Sequence, residues 1–162
     1  MVQLPTRVLS ALELKLSPVM TTLLMAMLMR SLARHTAAFS IRPPNLQMGL
    51  SIVLIASGVT IAMAGVYSFR SARTTVNPYR INASSELVTD GVYRHTRNPM
   101  YVGMLLCLLG WGVYLANALA LLLAALFVPY MNRFQILPEE RALQDAYGER
   151  FTEYCRRVRR WI

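Results

Sequence analysis

Four stretches of the chain are almost wholly apolar, and polar residues are concentrated between and after them. The stretches span residues 18–33, 46–69, 99–115 and 119–135. About 20 apolar residues are needed for a helix to cross a hydrocarbon core of roughly 30 Å. The first stretch approaches that length only by including Arg30, whose long side chain can extend to the interface. The pattern therefore predicts an all-α integral membrane protein with about four transmembrane helices.

Composition supports this class of protein and argues against another. Hydrophobic residues make up 55% of the 162 residues, charged residues only 15%, and the mean hydropathy is +0.38. The formal net charge of +9 would by itself suggest a nucleic-acid partner. Basic residues also flank apolar segments on the cytoplasmic side of membrane proteins. The sequence therefore predicts contact with membrane lipids and no nucleic acid.

The connections between the apolar stretches predict which side of the membrane each part faces. The separator 116–118 is short and uncharged, which indicates a tight helical hairpin. The long connection 70–98 and the tail 132–162 carry most of the arginines, which predicts that both face the cytoplasm. Arg34 and Arg42 in the first turn oppose this assignment.

Two polar clusters are candidates for chemistry. One is the basic and aromatic segment 91–103, in which Pro99 stands where a helix would begin. The other is the pair Glu139 and Glu140, directly after Pro138. Acids in the first turn of a helix often do no more than complement its dipole. If the clusters meet at one membrane face, however, donors and carboxylates would form a pocket for a zwitterionic or cationic ligand.

The sequence around the glutamates makes two structural predictions. Pro138 has no N–H to donate to the carbonyl of Phe134, so the fourth apolar helix should kink or restart there. Arg133 lies seven residues before Glu140, nearly on the same helical face. We therefore expect separate cytoplasmic helices over 138–161.

Together these motifs resemble the isoprenylcysteine carboxyl methyltransferase family, to which phospholipid N-methyltransferases are related, and especially its small bacterial members. The resemblance covers roughly residues 74–161, and its motifs are Leu87–Tyr93, Arg97–Gly103, Glu139-Glu140, Tyr147-Gly148 and Tyr154. It implies a single membrane methyltransferase domain over 1–162 that uses S-adenosylmethionine. It further implies a multi-pass protein of the bacterial inner membrane. Its cofactor pocket would lie on the cytoplasmic side, between the loop before the third span and the C-terminal helices.

The resemblance also implies roles for individual residues. Arg97 and Arg133 are the predicted catalytic residues, and no metal is implied. Eukaryotic members carry a substrate-binding arginine where this chain has Gln135, and Arg133 is the nearest arginine that could replace it. The predicted cofactor-binding residues are Leu87, Val88, Tyr93, Asn98, Pro99, Met100, Tyr101, Glu139 and Glu140.

The predicted reaction is methyl transfer to a small lipophilic acceptor that enters from the bilayer. Carboxyl O-methylation of an isoprenylcysteine-like substrate is favoured. Phospholipid or amine N-methylation is an alternative, and His95 would then be the nearby candidate for the base that deprotonates the amine. A second class of function is an NADPH-dependent reductase of the sterol-reductase type. A third is a non-catalytic membrane scaffold, which would not explain why the two polar clusters share one face.

Overall fold

The structure, a computed structural model, describes residues 16–39, 43–71 and 87–162, and every regular element within those ranges is helical. Arg42 and residues 72–86 of the polar connection lie outside the described residues. In chain order the elements are α1 (Pro18–His35), α2 (Pro44–Ser71), a 3₁₀ turn (Gly91–Arg94), α3 (Pro99–Leu115), α4 (Ala118–Met131), a π-helical segment (Asn132–Ile136), α5 (Leu137–Tyr147) and α6 (Glu149–Arg157).

Prolines and small polar residues set the starts of the long helices. Pro18, Pro44 and Pro99 each occupy the first turn of a helix, where the missing N–H leaves no hydrogen bond unmade. Ser17 and Asn117 cap α1 and α4 by accepting a backbone N–H with their side chains. These local signals explain why the observed helices agree closely with the four apolar stretches of the sequence.

Two helices are long and apolar enough to cross a membrane among the described residues. They are Pro44–Ser71 and the continuous helix Ala118–Tyr147, while Pro99–Leu115 is apolar but shorter. The all-helical membrane character is thus supported, and passage of α1 and α3 through the bilayer stays a prediction. Thirty residues of helix measure about 45 Å, more than the roughly 30 Å of a hydrocarbon core. The polar end of the long helix, which holds Glu139, therefore projects beyond its apolar part.

The helix does not restart at Pro138, because it continues through this residue, and a kink there stays a prediction. The π-helical segment lies immediately before this proline, and the Leu137 N–H bonds to the Asn132 carbonyl, five residues back. The wider π turn gives a proline ring more room against the preceding turn than an α turn does. The chain therefore passes from the apolar helix into α5 without a restart, and Glu139 and Glu140 follow as its first-turn acids.

The buried core lies between α1, α3 and α4, and α2 packs along the other side of α3. The Trp111 indole N–H of α3 donates to the Ala26 carbonyl of α1 at 3.1 Å. Between α2 and α3 the backbones are close, since the Ser51 hydroxyl donates to the Gly110 carbonyl at 2.8 Å. The largest fully buried side chains are Phe127, Met29, Leu108, Met131, Ile136, Asn117 and Pro99.

The turn between α3 and α4 is held by one buried side chain. Asn117 is 1% exposed, and its amide donates to the Thr36 hydroxyl at 2.8 Å and to the Ala37 carbonyl at 3.3 Å. Its side-chain oxygen accepts from the Ala120 N–H at 3.0 Å. One residue thus caps α4 and ties the hairpin to the end of α1.

We expect Asn117→Ala to lower the melting temperature of the detergent-solubilised protein, because the variant loses the cap on the buried Ala120 N–H and both bonds to the end of α1. Loss of an N-cap alone costs about 1 kcal/mol. Asn117→Ser is the matched control, since a serine retains the cap acceptor but not the amide donors. Equal melting temperatures for both variants would show that the cap contributes nothing, and an unchanged temperature for Asn117→Ala would contradict the prediction.

Candidate active site

The two polar clusters meet at one end of the helices. The Tyr101 hydroxyl, on the first turn of α3, donates to the Glu139 carboxylate on the first turn of α5 at 2.6 Å. Burial raises the pKa of Glu139 from 4.5 to about 7, the hydrogen bond from Tyr101 lowers it, and the neighbouring Glu140 raises it. This carboxyl group therefore changes its charge near neutral pH.

The adjacent carboxylate has a different environment. Glu140 accepts from the Arg160 guanidinium at two oxygens, with Nε to Oε1 at 3.1 Å and Nη2 to Oε2 at 2.5 Å. The Arg97 Nη2 lies 3.3 Å from its Oε1. The hydrogen bonds between Arg160 and Glu140 raise the pKa of the Arg160 guanidinium above its usual value. Two arginines thus compensate Glu140, while Glu139 has a tyrosine hydroxyl.

Arg97 retains an unused donor. Its side chain is 14% exposed, and its Nε is buried without a hydrogen-bond partner among the described residues. A buried donor of this kind is costly unless a further group accepts from it. Its backbone N–H donates to the Arg159 carbonyl at 3.0 Å, which fixes the segment that carries it.

Tyr93 adds a buried aromatic wall. Its ring meets the Phe69 ring of α2 edge to face at a centroid distance of 5.3 Å, and its carbonyl accepts from the Tyr154 hydroxyl at 2.8 Å. Burial is the largest of the causes that raise the pKa of Tyr93, and the nearby Tyr154 and Glu139 raise it further. Burial likewise raises the pKa of Tyr154. Both hydroxyls therefore stay protonated at neutral pH.

Four other predicted cofactor-binding residues make contacts apart from the Tyr101–Glu139 pair. Leu87 and Val88 line an open cavity of about 380 Å³ at the C-terminal end of α2. Pro99 and Met100 lie against α2, where a Cβ on Gly65 would fall 3.2 Å and 3.1 Å from their side chains.

Asn98 is engaged by the C-terminal tail. Its side-chain amide donates to the Arg160 carbonyl at 2.9 Å. The side-chain amide of Asn98, a residue that the resemblance assigns to the cofactor, is therefore already bonded to the tail.

Gln135 and Arg133, the two positions considered for substrate binding, have different contacts. The Gln135 side chain is 3% exposed and donates to the Leu16 carbonyl, so it joins the start of α1 to the π-helical segment. The Arg133 guanidinium lies 5.5 Å from the centroid of the Phe134 ring. Gln135 is thus a packing residue, and Arg133 stays the predicted replacement for the arginine of eukaryotic members.

Sequence reasoning missed Arg160. It stands in an arginine-rich run near the end of the chain, and its side chain and carbonyl both contact the candidate site. Trp161 next to it donates its indole N–H to the Asn132 side chain at 3.0 Å. A charge run gives no sequence signal that distinguishes the arginine that turns inward.

Comparison with known proteins defines the family. Residues 46–150, well over half of the chain, match the model of the phospholipid methyltransferase family, PEMT. The chain belongs to this family of membrane methyltransferases, and its named relatives include isoprenylcysteine methyltransferases. This confirms the family resemblance read from the sequence.

Three relatives illustrate the range of similarity. Protein-S-isoprenylcysteine O-methyltransferase B of Arabidopsis thaliana is 28% identical over 68% of this chain and 55% of its own length. The Schizosaccharomyces pombe protein-S-isoprenylcysteine O-methyltransferase is 34% identical over 48% of this chain and 33% of its own. The mouse Delta(14)-sterol reductase TM7SF2 is 30% identical over 72% of this chain and 30% of its own. The chain therefore spans about half or less of each of these relatives.

Proposed function

We propose that this chain is an S-adenosylmethionine-dependent methyltransferase with four membrane spans and a cofactor site at their cytoplasmic end. Membership of the methyltransferase family supports the reaction class. The observation that carries the site is the 2.6 Å hydrogen bond between Tyr101 and Glu139. It joins the two polar clusters, which lie far apart in the sequence, at the end of two apolar helices.

The residues present fit the polar end of the cofactor. S-adenosylmethionine carries an ammonium, a carboxylate and a sulfonium, and it supplies the methyl group when bound. Within the described part of the chain Glu139 has one hydrogen-bond partner, Tyr101, and its carboxylate can pair with a cation. The orphaned Nε of Arg97 offers a donor for an anion. A carboxylate and an unused guanidinium N–H at one site match a zwitterionic amino-acid group.

In this proposal the protein contributes binding, orientation and exclusion of water. Tyr101 fixes the Glu139 carboxylate, and the buried Tyr93 ring forms an apolar wall beside it. Holding both reactants in place is worth several kcal/mol of the barrier in such reactions. Arg97 and Arg133 are the residues proposed to contact the acceptor during transfer.

The acceptor is proposed to be a small lipophilic molecule that enters from the bilayer, with carboxyl O-methylation favoured. The plant and yeast relatives are named O-methyltransferases. An acceptor carboxylate is already nucleophilic, so it needs no base. Gln135 is turned toward Leu16, which leaves an arginine elsewhere to bind that carboxylate. An amine acceptor would need deprotonation, for which the exposed His95 is the candidate.

Binding of S-adenosylhomocysteine to the purified protein, measured by calorimetry at pH 8, is the test of the cofactor. We expect saturable binding of this product and none of NADPH, whereas the reverse would favour a reductase like the mouse relative. The affinity should fall as pH drops below about 7, because Glu139 then becomes protonated. A pH-independent affinity from pH 5 to 8 would contradict the role of Glu139.

Transfer of a labelled methyl group to a total lipid extract then tests the acceptor. Label that mild base releases as methanol indicates an ester, and base-stable label indicates N-methylation. Absence of transfer alongside normal binding would place the acceptor outside the lipid extract.

A further inference from the structure

The last residues of the chain close one side of the candidate active site. After α6 the chain is extended at Val158, and the Arg159 carbonyl accepts from the Arg97 N–H at 3.0 Å. The Arg160 carbonyl accepts from the Thr96 hydroxyl at 3.2 Å and from the Asn98 amide at 2.9 Å. Three donors from the segment before α3 are thus satisfied by two successive tail carbonyls.

The Arg160 side chain continues this contact on the acidic side. Its guanidinium binds both oxygens of Glu140 in a bidentate arrangement, which is the strongest geometry for an arginine and a carboxylate. Glu140 is 16% exposed and Arg160 33% exposed, so the pair is partly shielded from water. Backbone and side chain of one residue therefore connect both walls of the site.

We propose that Arg160 is a positioning residue that holds and neutralises Glu140, so that Glu139 alone presents a free carboxylate to the cation of the bound ligand. The inference rests on the proposed function, because it assigns the ligand to Glu139. It gives different roles to two adjacent acids that the sequence alone does not distinguish: Glu140 pairs with Arg160, and Glu139 binds the ligand.

The charged and titratable groups around Glu139 determine what removal of Arg160 does. Tyr101 faces it from α3 and Tyr93 from the 3₁₀ turn, while Glu140 adjoins it in α5. The arginines that compensate Glu140 are Arg97, at 3.3 Å, and Arg160. Without Arg160, Glu140 keeps only the weaker contact, repels a charge on its neighbour and competes for the ligand's cation.

The test is an infrared titration of the Glu139 carboxyl group in the full-length protein, with the band assigned by Glu139→Gln. In Arg160→Gln we expect the midpoint to rise by roughly one pH unit. The affinity for S-adenosylhomocysteine at pH 7 should fall by up to about tenfold and recover at higher pH. Adding Glu140→Gln to that variant should return the midpoint to its original value, since the repelling charge is gone.

Arg157→Gln is the matched control, because it removes the same charge from the same tail. Arg157 pairs with Glu153 at 3.5 Å, and both side chains are 68% exposed. The titration midpoint of Glu139 should be unchanged in Arg157→Gln. Arg160→Lys should restore the midpoint in part, since an ammonium keeps the charge but not the bidentate geometry.

The outcomes separate this proposal from the proposed function. An unmoved midpoint in Arg160→Gln, or a shift that Glu140→Gln does not reverse, overturns the positioning role and leaves Arg160 as a structural tie. Failure of the unaltered protein to bind S-adenosylhomocysteine, together with the expected titration shifts, would overturn the cofactor assignment. The role of Arg160 in compensating the charge of Glu140 would then hold without the cofactor assignment.

Discussion

Replacing Glu139 with glutamine is expected to weaken S-adenosylhomocysteine binding by at least about thirtyfold. Removal of one partner from a shielded, hydrogen-bonded charge pair costs about 2–5 kcal/mol, and each 1.4 kcal/mol is a factor of ten in affinity. Glutamine has nearly the same shape, and its oxygen can still accept from Tyr101. The substitution therefore removes the charge and keeps the contact between α3 and α5.

The same variant should not be less stable than the original protein at pH 8. The pKa of Glu139 is higher in the folded protein, about 7, than its ordinary value of 4.5. The folded state therefore binds more protons between these values, and its free energy of unfolding falls as pH rises through them. Above pH 7 the ionised group opposes folding, so a neutral glutamine removes that cost. A melting temperature equal to or above the original one would show that lost binding is not unfolding.

Comparison of two ligands makes the result more specific. S-adenosylmethionine has a sulfonium that S-adenosylhomocysteine lacks, while both carry the ammonium. Equal losses of affinity for the two in Glu139→Gln would place the carboxylate at the ammonium, and a larger loss for the sulfonium would place it near the methyl group. Glu153→Gln, at an exposed position of α6, is the control. Unchanged binding in Glu139→Gln would contradict the assignment of Glu139 to the cofactor.

The helices were predictable because their signals are local. Pro99 and a charge-free run fix α3 at the bounds expected from the sequence, 99–115. Gly148, with φ of +54°, ends α5 as a glycine that adopts a backbone conformation unfavourable for other residues. Such signals depend only on neighbours within one helical turn, so reading the chain in order is enough to find them.

The division of the site was not predictable because it depends on contacts between distant segments. Glu139 and Glu140 are adjacent and identical in type, and they are distinguished by Tyr101 on one side and by Arg97 and Arg160 on the other. Arg160 stands among other arginines, several of which are exposed. The π-helical segment escaped prediction as well, since nothing in a proline predicts that the preceding turn will widen.

The packing of α2 against α3 should tolerate almost no added volume where their glycines cross. A Cβ built on Gly103 would lie 2.4 Å from the Gly58 carbonyl oxygen and 2.8 Å from the Ala62 Cβ. Both are fixed by the α2 backbone, so the helices would have to move apart. We expect Gly103→Ala to destabilise the protein by about 3 kcal/mol, the upper end of typical overpacking. For a chain of this size this lowers the melting temperature by roughly 6–12 °C.

Gly49→Ala tests whether that loss comes from the helix crossing. A Cβ on Gly49, in the same α2 helix, would meet nothing within 4 Å, and alanine favours helix over glycine by about 1 kcal/mol. The melting temperature of Gly49→Ala in detergent should therefore rise slightly or stay unchanged. Tyr101 stands two residues before Gly103, so movement of α3 should also weaken S-adenosylhomocysteine binding in Gly103→Ala and not in the control. If both variants melt alike, the close approach of the two backbones does not limit stability. Because α3 carries Tyr101 to Glu139, unchanged S-adenosylhomocysteine binding in Gly103→Ala would show that the geometry of the candidate active site does not depend on this packing.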